Sequence, residues 1–276
     1  MSAGQKKKVS AVMSYYSVLS KGNEHGDFRW SDVRKRFTLD KANAFFLGVM
    51  LDQGQLAERA WNGGEHFVEN QFTGRRGFWK EILAAHPQTV KSICTSGYEG
   101  KSYASVYCTN KFPGWLRSAA QKMLDTYQGD PRTIWAVAPE NVSLIYDRFL
   151  GFDGIGDALA KMAQFILVRN FRVAGGKKNQ SKMSVKPDVL VRRVLARTGI
   201  TKSDALPHVL TSLNELKLSR PADFDASLWV VGREFCFETD PNCSECPLQP
   251  VCNYVYAQHG NAPDRLSSAS LRQSGG

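Results

Sequence analysis

Cys236, Cys243, Cys246 and Cys252 fall within the stretch CFETDPNCSECPLQPVC, in the spacing C-x6-C-x2-C-x5-C. Four thiols this close along a chain can form two disulfides, hold a tetrahedral zinc ion, or hold a cubane iron-sulfur cluster. The opening residues MSAGQKKKVS are polar and basic with no apolar segment behind them, and no run long enough to span a membrane occurs. A chain of this kind is expected to be intracellular, where structural disulfides are rare. Zinc sites usually use two C-x2-C knuckles, whereas only Cys243 and Cys246 form one here. The longer gaps can wrap a bulkier object, so the spacing leaves both zinc and a cluster open.

The formal net charge of +10 suggests either a polyanionic partner such as nucleic acid or a basic surface that serves solubility alone. Apolar residues recur at helical spacing in ANAFFLGVML, QLAERAW, FWKEILAAH, GWLRSAAQKMLDTY, VSLIYDRFL, DALAKMAQFILVRNF, DVLVRRVLARTG and DASLWVVGREF, and nothing alternates with period two. An all-α fold with short connections is expected. Residues 1–10 and 257–276 are expected to be disordered. The segment RNFRVAGGKKNQSKMSVK, residues 169–186, carries six basic residues including Lys177 and Lys178, no acidic ones, and a Gly-Gly pair. It reads as an exposed, mobile basic loop suited to phosphate contact.

In LGFDGIGDALAKM, Gly151, Gly154 and Gly156 separate two helical patterns. Glycines there permit positive φ and leave backbone N–H groups uncovered beside a helix N-terminus, a geometry that attracts phosphate. Asp188 directly precedes the helical run VLVRRVLARTG and reads as its N-cap. Trp61, Phe67, Phe72, Phe78 and Trp79 read mostly as core, with one free to line a pocket by stacking. Cys94 and Cys108 read as small buried apolar residues.

Taken with the GIG element, Ile155 and the cysteine spacing behind PADFDASLWVVGREFC, these segments resemble the endonuclease III and adenine glycosylase branch of the helix-hairpin-helix DNA glycosylases. That resemblance implies a two-lobed all-α fold: a six-helix barrel lobe over 43–173, and a cluster lobe formed from 11–42 and 185–256. It implies a [4Fe-4S] cluster on the four cysteines, a double-stranded DNA partner, a monomer, and a cytoplasmic (nucleoid-associated) or nuclear location. It assigns DNA contacts to Gly151, Gly154, Ile155, Gly156, Gln53, Gln55 and Arg233, to which the basic segment adds Lys177 and Lys178, and the catalytic carboxylate to Asp188. A fixed anion there stabilises the cationic sugar formed as a base departs.

Departures from the family pattern shape the expected activity. The lysine that opens a Schiff base in bifunctional members is Ala158 here, and Lys161 reads as a solvated residue of the same helix. A monofunctional glycosylase is therefore expected, with a catalytically inactive iron-sulfur DNA-binding protein as the alternative. The glutamate that protonates adenine in the adenine glycosylases is Gly48, and Val189 and Leu190 replace a Thr-His pair. The excised base stays open. The hairpin and Asp188 also lie further apart than in the family, the excess being the basic segment, an insertion that costs little in loop entropy.

Overall fold

The computed structural model describes residues 1–21, 37–73 and 77–259. Among these residues the structure is helical, with no strand and only an isolated bridge between Tyr98 and Lys101. No described helix is long and apolar enough to cross a membrane. The chain divides into two compact units, Asp27–Lys186 and Met1–Gly26 with Pro187–Gly276. Residues 37–42 fall with the central unit, where the sequence expectation grouped them with the terminal one, and residues 22–36 of that expectation lie outside the described residues.

The terminal unit starts with α1 (Ala3–Lys21). Expected disorder before residue 11 does not occur, because Lys, Gln and Ala favour helix and the chain is tied down from both sides. Val12, Tyr16 and Leu19 are buried at i, i+4 and i+7, and Lys8 Nζ donates to Asn253 Oδ1 at 2.8 Å.

The central unit begins with α2 (Leu39–Leu51), capped by Thr38, whose hydroxyl accepts from Lys41 N at 3.2 Å. Every residue from Ala42 to Leu51 is buried, so the helix runs through the core. Next comes α3 (Ala57–Asn70), which crosses α2 at backbone distance: a Cβ on Gly64 would sit 2.8 Å from Ala44 O and from Gly48 N. Helices α4 (Phe78–Ala84), α5 (Pro87–Ser96), α6 (Phe112–Tyr127) and α7 (Arg132–Trp135) follow. The unit closes with α8 (Ser143–Leu150) and α9 (Asp157–Phe165), the arms of the glycine turn. Phe45 and Phe46 on α2 meet Trp135, Phe149, Phe152 and Trp79, each ring pair adding about 1 kcal/mol to simple burial. The one buried polar side chain on α2, Asn43, accepts from Trp79 Nε1 at 2.8 Å. Trp61, Phe67 and Trp79 are buried as expected, while Phe72 and Phe78 are half-buried.

Beyond α9 the helix widens into a π-turn over Ile166–Asn170 and then a 3-10 helix over Val173–Lys182. The expected mobile loop is thus corrected to ordered structure. Its apolar and amide positions are what the charge pattern hid: Gln180, Met183 and Val185 are buried, and Lys182 Nζ donates to Glu140 O at 2.9 Å. The side chains of Lys177 and Lys178 lie outside the described set.

The terminal unit resumes with α10 (Val189–Thr198), α11 (Leu206–Leu216), α12 (Pro221–Glu234) and α13 (Asn253–His259). Within this unit α12 is buried almost throughout and packs on α1 and α10. Residues 257–259 are helical, contrary to the expected disorder from 257, and 260–276 lie outside the described residues.

Candidate nucleic-acid interface and cysteine loop

The glycine turn joins α8 to α9 within the central unit, and its three glycines serve different ends. Gly154 has φ +81, and a Cβ there would meet Trp115 at 2.6 Å, so both backbone strain and packing demand glycine. Gly151 and Gly156 sit at ordinary negative φ, so the expectation of positive φ holds at Gly154 alone. A Cβ on Gly156 would meet nothing within 4 Å, so a bare position there leaves the start of α9 open rather than relieving a clash. The first N–H groups of α9 have no partner inside the helix, and the peptide dipoles add positive potential.

Ile155 is buried, so its side chain belongs to the core and only its backbone faces the turn. Asp153 accepts from Ser118 Oγ at 2.6 Å, and Asp157 is paired with Lys161 at 3.0 Å. Lys161 is not the solvated residue expected: its side chain is 12% exposed and held in that ion pair, with the Tyr146 hydroxyl donating to Asp157 at 2.9 Å. Burial first, then the neighbouring carboxylate, raises the Tyr146 phenol. Ala158 is exposed and carries no chemistry.

Gln53 and Gln55 follow α2, and both amides are engaged by main-chain carbonyls. Gln53 Nε2 donates to Met50 O and to Gly154 O, each at 2.8 Å, and Gln55 Nε2 donates to Leu51 O at 2.7 Å and Tyr103 O at 3.1 Å. The side chains standing out from this part of the unit are apolar ones that sequence reasoning missed. Leu56, Val106 and Tyr107 are 79%, 85% and 80% exposed, and Tyr107 lies 3.0 Å from where a Cβ on Gly54 would be. No periodicity marks them, because they sit on loops.

In the terminal unit Asp188 caps α10: its Oδ1 accepts from Val191 N at 2.9 Å, in extended backbone. Val189 is exposed, while Leu190 packs on Gly232 of α12, where a Cβ would come within 2.8 Å of the leucine Cβ.

Two arginines one turn apart on α10, which the motif reading passed over, hold the cysteine loop. Arg193 Nε donates to Cys236 O at 2.7 Å and its Nη2 to Gly232 O at 3.1 Å. Arg197 donates to Phe237 O at 2.6 Å, Glu238 O at 2.8 Å and Cys236 Sγ at 3.4 Å, with its guanidinium over the Tyr254 ring. In return Cys252 Sγ donates to Arg197 O at 3.4 Å.

The four cysteines are unpaired thiols. Burial pushes the Cys246 thiol up to about 11, with the Cys236, Cys252 and Cys243 sulfurs adding to the effect. Cys243 is raised by burial and then by Cys252 and Cys236. The sulfurs therefore share one neighbourhood, although among the described residues no three His, Cys, Asp or Glu side chains close to the spacing of a single metal ion. Arg233 is stacked on Trp229 and paired with Glu234 at 2.6 Å, so its charge is already partly answered.

No known protein-family pattern matches the chain, and no curated protein matches it. Solved structures do. A thermostable thymine-DNA glycosylase matches with a TM-score of 0.56 at 17% identity, over 92% of this chain and 97% of its own. Endonuclease III trapped as a covalent intermediate with DNA, an estranged-adenine complex, gives 0.60 at 14% identity over 94% and 100%. A non-covalent endonuclease III–DNA complex gives 0.57 at 15% identity over 95% and 100%. Identities this low establish fold and leave chemistry to the residues of the site. Over nearly its whole length, the chain has the all-α fold of the endonuclease III-type DNA glycosylases.

Proposed function

We propose that the protein is a monofunctional DNA N-glycosylase acting on a flipped base in double-stranded DNA, with a [4Fe-4S] cluster held by Cys236, Cys243, Cys246 and Cys252. The observation that carries the reading is the endonuclease III-type fold together with an ordered Gly154 turn that presents the open start of α9. Backbone N–H groups there grip a phosphate, and Lys177, Lys178 and Arg233 add charge along the strand. Exposed Leu56, Val106 and Tyr107 supply apolar surface to fill the stack from which a base has been swung, offsetting part of an unstacking cost of a few kcal/mol. Asp188, at the N-terminus of α10 that it caps, stabilises the oxocarbenium-like sugar and orients the attacking water.

Absence of strand cleavage is supported by Ala158 and by the ion pair that occupies Lys161. The C-x6-C-x2-C-x5-C spacing, with gaps longer than a zinc knuckle, and the hold of Arg193 and Arg197 on this loop support a group larger than one zinc ion. The cluster, when bound, supplies a structural crosslink that shapes the loop, and its binding draws the raised thiols into the thiolate form.

A binding protein without catalysis is the second reading, favoured by the missing lysine and by Gly48 in place of the adenine glycosylase acid. The test is a panel of duplexes, each bearing one damaged, mismatched or modified base, treated with protein and then alkali. Base release that Asp188→Asn abolishes while binding persists establishes the enzyme. Binding with no release from any duplex establishes the second reading.

A further inference from the structure

The turn between α8 and α9 is held from two directions by residues distant in sequence. From α6, Trp115 packs under Gly154, Ser118 Oγ donates to Asp153, and Lys122 Nζ donates to Gly151 O while lying 5.0 Å from the Phe152 ring centroid. These α6 residues are spaced to lie on one face, so the helix grips the turn along its length. From the end of α2, a single amide completes the hold: Gln53 Nε2 bridges Met50 O and Gly154 O at 2.8 Å each. The Gly154–Ile155 peptide is then fixed at both ends, because Ile155 N also donates to Phe152 O at 3.1 Å. This peptide immediately precedes the open N–H groups of Gly156 and α9, whose direction depends on it.

We infer that Gln53 is a positioning residue for the DNA interface, a latch that sets the phosphate-gripping turn from α2 rather than a side chain that enters the DNA. The inference rests on the reading of the turn as a phosphate contact. A latch of this kind also joins the turn to the loop bearing Leu56, so that the grip on the strand and the apolar wedge keep one spacing. A side chain already donating both amide hydrogens inside the protein gains less by insertion than it loses by leaving two carbonyls unpaired.

Hydrogen exchange on the DNA-free protein tests the latch directly. Gln53→Ala is expected to speed exchange of the Ile155 amide, which donates to Phe152 O, about tenfold while α4 and α5 keep wild-type protection, which also shows that the variant is folded. Gln53→Glu discriminates further. An ionised carboxylate cannot donate to either carbonyl, whereas a protonated one can donate once, so its defect is larger at pH 8 than at pH 5. Wild type and Gln53→Ala at the same pH values control for titration of Asp52, Asp153 and Asp157. In a second arm, Gln53→Ala weakens binding to intact duplex and to duplex with a stable abasic analogue by the same factor, about tenfold. Unchanged exchange at the Ile155 amide, or weakening confined to the abasic duplex, overturns the latch in favour of insertion. A wild-type protein that binds neither duplex overturns the DNA reading itself, and the exchange measurement, which needs no DNA, tells the two failures apart.

Discussion

The indole of Trp61 lies so close over Gly48 that a Cβ on the glycine would stand 2.1 Å from Trp61 Cε3. The position taken by an acid in the adenine glycosylases is thus filled by an aromatic ring from α3, stacked in turn on Phe45 at 5.6 Å. Gly48→Ala is expected to cost about 1–3 kcal/mol by overpacking, and Gly48→Glu more, because a buried carboxylate adds desolvation. Urea unfolding measures both. A Trp61→Ala background should return part of the Gly48→Ala loss, and full additivity of the two changes would show that the ring does not exclude the side chain.

Asp188 has a structural duty separable from its proposed chemical one. Asparagine caps a helix about as well as aspartate, so Asp188→Asn should leave thermal stability within about 0.5 kcal/mol while lowering base release by about a hundredfold or more. Asp188→Ala should lose the cap as well, at about 1 kcal/mol. Equal destabilisation by the two variants would mean that the carboxylate does more for the fold than cap α10.

Arg197 reaches two main-chain carbonyls and one sulfur of the cysteine loop, so its removal leaves several acceptors unanswered. Arg197→Ala is expected to destabilise the loop by about 2 kcal/mol and to lower iron and sulfide content per chain, with Arg197→Lys intermediate because lysine lacks the planar fork. Elemental analysis and visible absorbance follow the loss. Full iron content in Arg197→Ala would show that Arg193 alone suffices.

Asp130 carries a pH dependence of known sign. Its carboxylate takes hydrogen bonds from Arg132 Nε and Nη2, and that partner holds its titration below the ordinary carboxylate range. A depressed folded value means that the stabilisation is present above the unfolded value and is lost as pH falls through the folded one. Asp130→Asn should therefore cost up to about 1 kcal/mol at pH 7, with the difference from wild type shrinking as pH falls below the ordinary carboxylate range. Chemical denaturation at several pH values measures it.

Cys94 contrasts with the loop cysteines. Burial alone pushes its thiol up to about 12, so it should resist alkylation at pH 8 in the folded protein and react fully in denaturant. Mass spectrometry after a short exposure to iodoacetamide distinguishes the two. Rapid native labelling would mean that α5 opens locally.

Much of this architecture is legible in the chain itself. Apolar spacing marks the helices because one face of each must leave water, glycine at 154 marks the positive-φ turn, an aspartate before a helical run marks its own cap, and the cysteine spacing marks a thiol loop. These are local rules, satisfied by residues within a turn or two of each other. Tertiary structure alone decided the rest. That Gln53 would donate to Gly154, that Trp61 would cover Gly48, that Arg193 and Arg197 would hold the cysteine loop, and that a basic segment would bury Gln180 all depend on partners far apart in sequence. Polar side chains take whichever unpaired acceptor packing brings within about 3 Å, and no one-dimensional pattern records that choice.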